Sequence, residues 1–454
     1  MKEKKQLGYL NHIGLGVGGA IGTGIFMMLG FGIAYTGRSI VLVCAAGCFL
    51  MLLAFWYAGA MGSLFVLKGG DYTARSMVFP PLLTGVSAWA QIANSFVLAG
   101  HSLAITQFAS MVVPGIAEHQ KLFAIAVLTL GFLCSIRGSK LLATIQNFIV
   151  VALIIALALF VFCGIPKVDP GAFFSNSDGG FLFGGIGGFI SALSVMSFAC
   201  MGTAANISLG TETRRPKRTI PLAAWIVTAI VGVIYGLMAY VAAGVLPYEQ
   251  VAGQNISVTA EVVMPQAPYM FFVVGGGIFA ISSTMLGCIA IFKNPVLSVA
   301  EDGWIPKAFL KTTKSGYPWV TYLVLYLVSI IPIVTGLDVE GVIGNVMIPT
   351  MIMNTYINFY CLKVPDMYPE QWEKRGVRYP RWLWNVFSII GGAFAIVVIY
   401  NTFINMDTKA MILCVIELAV MFGMAFLTLK KGWVSKEQLA ANKQAAINEA
   451  ISTE

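Results

Sequence analysis

Six glycines fall within eleven residues near the start of the chain: Gly14, Gly16, Gly18, Gly19, Gly22 and Gly24. The core of the run reads Gly-Gly-Ala-Ile-Gly-Thr-Gly-Ile-Phe from Gly18 to Phe26. Each interior glycine weakens a helix by about 1 kcal/mol relative to alanine. A helix broken here, at mid-membrane depth, would offer free backbone N–H groups to an anion and free carbonyls to a cation. Glycines three and four apart also allow close helix packing, so the run by itself leaves both readings open. A second run of small residues, Phe198-Ala-Cys-Met-Gly-Thr-Ala-Ala-Asn206, lies further along and ends in the polar stretch from Glu212 to Pro221. Between the two, Gln91, Asn94, Leu98, His101 and Ser102 fall within about a third of a helical circumference and, Leu98 apart, form a polar stripe. Interhelical hydrogen bonding and contact with a bound molecule both account for such a stripe. Asn94 is its strongest candidate for contact with a bound molecule or water, and His101 could take up and release a proton in the physiological range. Thr350, Asn354 and Asn358 make a narrower stripe that packing explains. Glu417 stands alone in an apolar run, where a helix-contact or oligomer role suits it better than ion coupling.

These residues must be held by elements that water does not solvate. Of 454 residues 58% are hydrophobic and 11% charged, against about 25% charged in soluble domains. A bilayer span needs about 20 mostly apolar residues. Ten charge-free runs of that order are Gln6–Gly37, Ser39–Leu67, Ser76–Ala117, Leu141–Pro166, Gly179–Thr211, Ile220–Tyr248, Val262–Phe292, Ser315–Leu337, Gly341–Leu362 and Trp382–Met406. The shorter run Leu122–Ile136 and the run Ala410–Leu429, interrupted by Glu417, bring the expected spans to twelve. The first run is long, glycine-rich and without a small-residue cleavage pattern, so it reads as a retained helix and not a signal peptide. Cysteines scattered singly and three distant histidines give no metal pattern, and no nucleophile with its base or nucleotide loop stands out. The expectation is a protein that is not an enzyme and needs no cofactor.

Basic residues collect in short cytoplasmic loops. Threading the chain through twelve spans puts all of the 28 Lys and Arg on one side except Arg38, Lys121, Lys167 and Lys409. Both termini are therefore expected in the cytoplasm. The net charge of +8 is a topology signal, and no nucleic-acid partner is expected. The tail, Ser435 to Glu454, could form a short surface helix.

Two interrupted segments five spans apart are the pattern of paired repeats of opposite topology. Four stretches then carry a resemblance over roughly residues 9 to 430: Gly22-Thr-Gly-Ile-Phe26; Gly62-Ser63 with Gly69-Gly-Asp-Tyr72; Glu212 with Pro216-Lys-Arg-Thr-Ile-Pro221; and Ala300-Glu-Asp-Gly-Trp-Ile-Pro306. In order and spacing the chain resembles the amino acid, polyamine and organocation (APC) transporter superfamily. The resemblance implies an all-α polytopic membrane protein of twelve transmembrane helices in a five-plus-five inverted repeat of the leucine-transporter type, with helices 1 and 6 discontinuous. The expected divisions are a cytoplasmic N-terminus (1–10), a first repeat (11–165), a second repeat (180–363), two further helices (382–429) and a cytoplasmic tail (430–454).

It further implies alternating access around a midplane site. The cargo carboxylate would meet the backbone amides of Ile21, Gly22, Thr23 and Gly24, and its amino group the carbonyls of Phe198, Ala199 and Met201 beside Gly202. Phe198 matches the aromatic gate position. Main-chain dipoles recognise a zwitterion without the cost of buried side-chain charge. Two departures matter. Ala152-Leu153 stands where proton-coupled relatives often place a lysine, which disfavours a lysine-based mechanism. After the second break no carboxylate occurs before Glu212, so a guanidinium or ammonium side chain would lack a counter-ion. The expected cargo is a small or apolar neutral amino acid. Candidate coupling ions are H+ through His101 or Na+ through Gly18, Ile21, Ser283 and Thr284, with ion-free exchange equally open. The rival readings are an amine or polyamine carrier, a passive channel and a non-transporting nutrient sensor; the sequence assigns no oligomeric state.

Overall fold

The computed structural model describes residues 7–67, 69–136, 139–175, 180–202, 210, 213–314 and 316–452. Lys2, Lys4, Lys5, Lys68, Arg137, Glu212, residues 203–206 and the ends of the fifth long apolar run, Gly179 and Thr211, lie outside them. Every described element is helical. An isolated bridge between Leu7 and Thr213 is the one strand-like pairing among the described residues.

In chain order, α1 (Tyr9–Ala20) is followed by a π-helical turn (Gly24–Met28) that runs into α2 (Leu29–Thr36), and then by α3 (Ile40–Ala54) and α4 (Trp56–Leu64). Next come α5 (Gly70–Val78), α6 (Pro81–Ala93), α7 (Phe96–Val112), α8 (Gln120–Ile136), α9 (Ser139–Gly164) and the single turn α10 (Pro170–Phe173). The middle of the chain forms α11 (Gly185–Cys200), α12 (Pro216–Gly244), the short α13 (Tyr248–Val251), α14 (Ser257–Val263) and α15 (Gln266–Phe271). A second π turn (Phe272–Ile278) leads into α16 (Phe279–Glu301), α17 (Trp319–Thr335), α18 (Val339–Cys361), and the short α19 (Val364–Met367) and α20 (Pro369–Glu373). The chain closes with α21 (Arg381–Asn405), α22 (Thr408–Lys430) and α23 (Lys436–Ser452).

Seven helical runs among the described residues are long and apolar enough to cross a membrane. The run Tyr9–Ala54 holds two of the twelve apolar stretches of the sequence, and α11 and α17 stop at 16 and 17 residues, below the about 20 that a span needs. The helices are apolar on both faces, and large side chains such as Leu122, Phe162, Tyr400 and Ile412 are exposed. Such all-round apolarity is what a lipid solvent selects. This is a membrane protein.

The core is built where α11 packs on α2 and α3, α12 on α1, α3 and α4, and α18 on α7 and α21. The polar stripe of the third apolar run is split: α6 ends at Ala93, and the chain bends at Asn94 and Ser95 before α7. The expected tail helix forms as α23 and docks on the face carrying most of the basic loops, called here the basic face. There the Asn442 amide donates to Asp302, which also accepts from the Tyr72 hydroxyl. Lys443 lies over the Tyr368 ring, 5.6 Å from its centroid. Burial pushes the Asp302 carboxyl above the ordinary carboxylate range, and its two hydrogen bonds pull it partly back.

Candidate functional site

The first glycine run does break the helix. Ile21 leaves α1 with φ −85° and ψ 108°, its amide reaching back to Val17 O at 3.1 Å. Helical structure resumes at Gly24, and Phe26 N bonds Gly22 O at 3.4 Å. The first N–H groups of a helix have no intrahelical partner, so the amides of the restart are free to bind something else. In the second run α11 ends at Cys200, with Met201 N capping Phe198 O.

The two breaks touch reciprocally. A Cβ on Gly24 would collide with the Ala199 backbone, and a Cβ on Gly202 with the backbone of Ala20. Glycine is required at both places because main chains cross there. The Tyr235 hydroxyl on α12, fully buried, sits 2.7 Å from Ala20 O and 3.1 Å from Ala199 O, spanning both crossings.

A cavity of about 190 Å³ opens beside these crossings. Gly22, Thr23 and Gly24 of the first break line it, with Phe198, Met201 and Gly202 of the second. Ile21 and Ala199 do not: Ile21 is wholly buried, and the Ala199 carbonyl already accepts from Tyr235. From the polar stripe Gln91, Asn94 and His101 reach the cavity together with Val97, whereas Leu98 is packed away and the Ser102 hydroxyl bonds Ala99 O. His101 Nδ1 and Thr23 Oγ1 are 2.6 Å apart, so α7 braces the first break directly. The His101 and Phe198 rings face each other at 6.4 Å between centroids.

The other stripe divides by role. Thr350 lines the cavity, while Asn354 accepts from Arg75 at 2.9 Å and the Asn358 amide donates to Ala54 O at 2.8 Å. Thr284 lines the cavity against Gly22, its hydroxyl bonded to Ala280 O at 3.1 Å. Beside it the Ser283 hydroxyl is buried without a hydrogen-bond partner among the described residues. Gly18 is buried in α1 below the break. Glu417 is buried on α22, and its Oε2 also lacks a partner among the described residues.

Electrostatically the site is made of helix ends. The restart at Gly24 presents the positive pole of a helix, and the C-terminal ends of α1 and α11 present negative poles, each equivalent to about half an elementary charge. Opposite poles a few residues apart suit a small molecule carrying both signs. Away from the basic face, Phe26 packs edge-on against Phe108 at 5.8 Å and against Phe272 at 5.5 Å, and Phe272 stacks on Phe160 at 5.2 Å. Toward the basic face the cavity continues past Ile291, Phe292 and Pro295 to Asp71 and Phe55. Aromatic rings thus pack together on one side of the site, and the cavity extends on the other.

Two features escaped the sequence reading. Tyr235 lies 215 residues from Ala20, beyond any local spacing rule. Asp71 belongs to a stretch noticed only for its resemblance, with nothing in its neighbourhood to say that it faces the cavity.

Comparisons with known proteins agree with this architecture. A family model described as "Amino acid permease" matches residues 7–422. The D-serine/D-alanine/glycine transporter of Escherichia coli (strain K12) is 25% identical over 325 residues, 67% of this chain and 67% of that one. The branched-chain amino acid permease of Bacillus subtilis (strain 168) is 24% identical over 332 residues, 68% of this chain and 70% of that one. The histidine permease of Lactococcus lactis subsp. cremoris (strain MG1363) is 26% identical over 357 residues, 71% of each chain.

Proposed function

The chain belongs to the amino acid permease family, and from that premise we propose that it is a secondary active transporter of small or apolar neutral amino acids. The carrying observation is the pair of crossed helix breaks that bring a helix start and two helix ends to one cavity. An α-carboxylate placed at the amides of Gly22, Thr23 and Gly24 takes the positive pole, and an α-ammonium near the carbonyls of Phe198 and Met201 takes the negative one. A cavity of about 190 Å³ is smaller than the about 300–1,000 Å³ typical of drug-sized ligands, which supports a small cargo. Phe198, Met201 and Val97 give its side chain an apolar wall.

Transport then proceeds by alternating access in a twelve-span, five-plus-five inverted repeat, with the domain limits and cytoplasmic termini expected from the sequence. The reciprocal crossing of Gly24 on Ala199 and Gly202 on Ala20 supports the repeat, since a two-fold relation between the breaks produces such paired contacts. The aromatic cluster around Phe26 and the extension toward Asp71 fit a state open to the basic, cytoplasmic face. Na+ coupling would use the α1 carbonyls of Gly18 and Ile21 with Ser283 and Thr284, and the unpartnered Ser283 hydroxyl favours it. Proton coupling would use His101.

Proteoliposomes loaded with unlabelled amino acids and challenged with labelled ones test the proposal. Counterflow of a neutral amino acid against its gradient is the expected result. Repeating uptake without Na+ and with the pH gradient collapsed identifies the coupling. A full amino-acid panel without saturable flux would reject the carrier reading, and cationic competitors that outcompete zwitterions would reassign the cargo to amines.

A further inference from the structure

Asp71, on α5, is the one formally charged side chain among the described residues that line the cavity. Everything else offered to a cargo there is a backbone dipole, a neutral polar group or an apolar wall. Its surroundings concentrate its field. Phe55, Ile291, Phe292 and Pro295 line the same end of the cavity, and a charge framed by low-dielectric walls focuses its field into the aqueous path.

Among the described residues a buried cation stands behind it. Arg75, one turn further along α5, is 2% exposed. It is turned toward Tyr57 and Asn354, donating to the Tyr57 hydroxyl at 3.1 Å and to Asn354 Oδ1 at 2.9 Å. The same Tyr57 side chain adjoins Asp71. Arg75 and the Tyr57 phenol lie behind the carboxylate, and Arg75 itself does not reach the cavity. The cargo path therefore sees the negative end of this arrangement.

We propose that Asp71 is a charge filter at the basic-face end of the cavity, passing zwitterionic and cationic amino acids and rejecting acidic ones. The inference rests on the carrier reading above and adds a specificity-determining side chain to it. It also qualifies the expectation that no counter-ion exists for a cationic cargo: one does, on α5 and not after the second break.

The test uses the full-length protein in proteoliposomes, with counterflow of whichever neutral amino acid the panel identifies and with asparagine and aspartate as isosteric competitors. In the wild type, aspartate should compete about tenfold more weakly than asparagine, the order expected for unit charges about 10 Å apart at an effective dielectric near 20. Asp71→Asn should narrow that gap by about tenfold, and Asp71→Glu should keep it. A monodisperse, thermally stable Asp71→Asn protein whose gap is unchanged overturns the filter while leaving the carrier reading intact. So does a wild type that carries another amino acid but ignores asparagine, because fit and not charge then excludes aspartate. A wild type inert to the whole panel removes the carrier reading, and the filter with it.

Discussion

The two helix breaks differ in what they put in front of a cargo. The first, between α1 and the turn at Gly24, is polar: free amides, the Thr23 hydroxyl and the His101 ring that braces it at 2.6 Å. The second, at the end of α11, presents carbonyls between the apolar side chains of Phe198 and Met201. In the proposed site, one break would read charge and hydrogen bonds and the other shape. Glycine serves them differently as well. Gly24 and Gly202 are needed because a backbone crosses each, whereas the atoms nearest a Cβ on Gly22 belong to the Thr284 side chain, whose hydroxyl, the closest of them, can turn away.

The sharpest way to break this comparison is to fill the crossings. Gly24→Ala should abolish uptake and destabilise the protein by about 1–3 kcal/mol, the usual cost of overpacking, read by thermal unfolding in detergent. Gly24→Ala with wild-type uptake would mean that the breaks do not cross as described. Removing the pin between them comes next. Tyr235→Phe removes the one hydroxyl proton that the Ala20 and Ala199 carbonyls share and should cost about 1–3 kcal/mol, with uptake falling about tenfold. If only stability falls and KM and the maximal rate hold, Tyr235 supports the fold without positioning the site.

A smaller effect is expected at the brace. Thr23→Val removes one hydrogen bond, worth about 0.5–1.5 kcal/mol, and should raise KM several-fold while Thr23→Ser restores it. An equal effect of the serine variant would shift the role from the hydroxyl to the methyl. The smallest change should come from Gly22→Ala: the Thr284 side chain can yield, so a loss of no more than a few-fold is expected. Equal losses at Gly22 and Gly24 would erase the distinction between a side-chain neighbour and a backbone one.

The sequence showed where the chain would break more clearly than what the breaks would touch. Glycine density marked the stretch Gly14 to Gly24 as a place where a helix could break, because helix propensity is local; the narrower assignment to Ile21 to Gly24 came from the family resemblance, and a run of small residues marked the end of α11 near Phe198. Period and polarity brought out Asn94 and His101, although the bend at Asn94 itself left no signal without a proline or glycine. Ala199 illustrates the limit. A local reading counts its carbonyl as free, and only the fold brings Tyr235 to occupy it. Membrane helices share an apolar composition on every face, so pattern reveals that a segment is a helix far better than which neighbour it meets. Asp71 was hidden for the same reason, since one carboxylate in a loop looks solvated until α5 is seen folded under the cavity.

The reciprocal crossings have a kinematic consequence. Two bodies held in close backbone contact at two separate points keep one easy relative motion, rotation about the line joining those points. Sliding either broken helix along its axis would drive Ala199 or Ala20 out of the notch that a glycine provides. Under the alternating-access proposal, a swing about this pivot that opens a path on one side would close it on the other. The glycines at 24 and 202 act in this sense as bearings, and their lack of a side chain sets the mechanical freedom of the whole carrier.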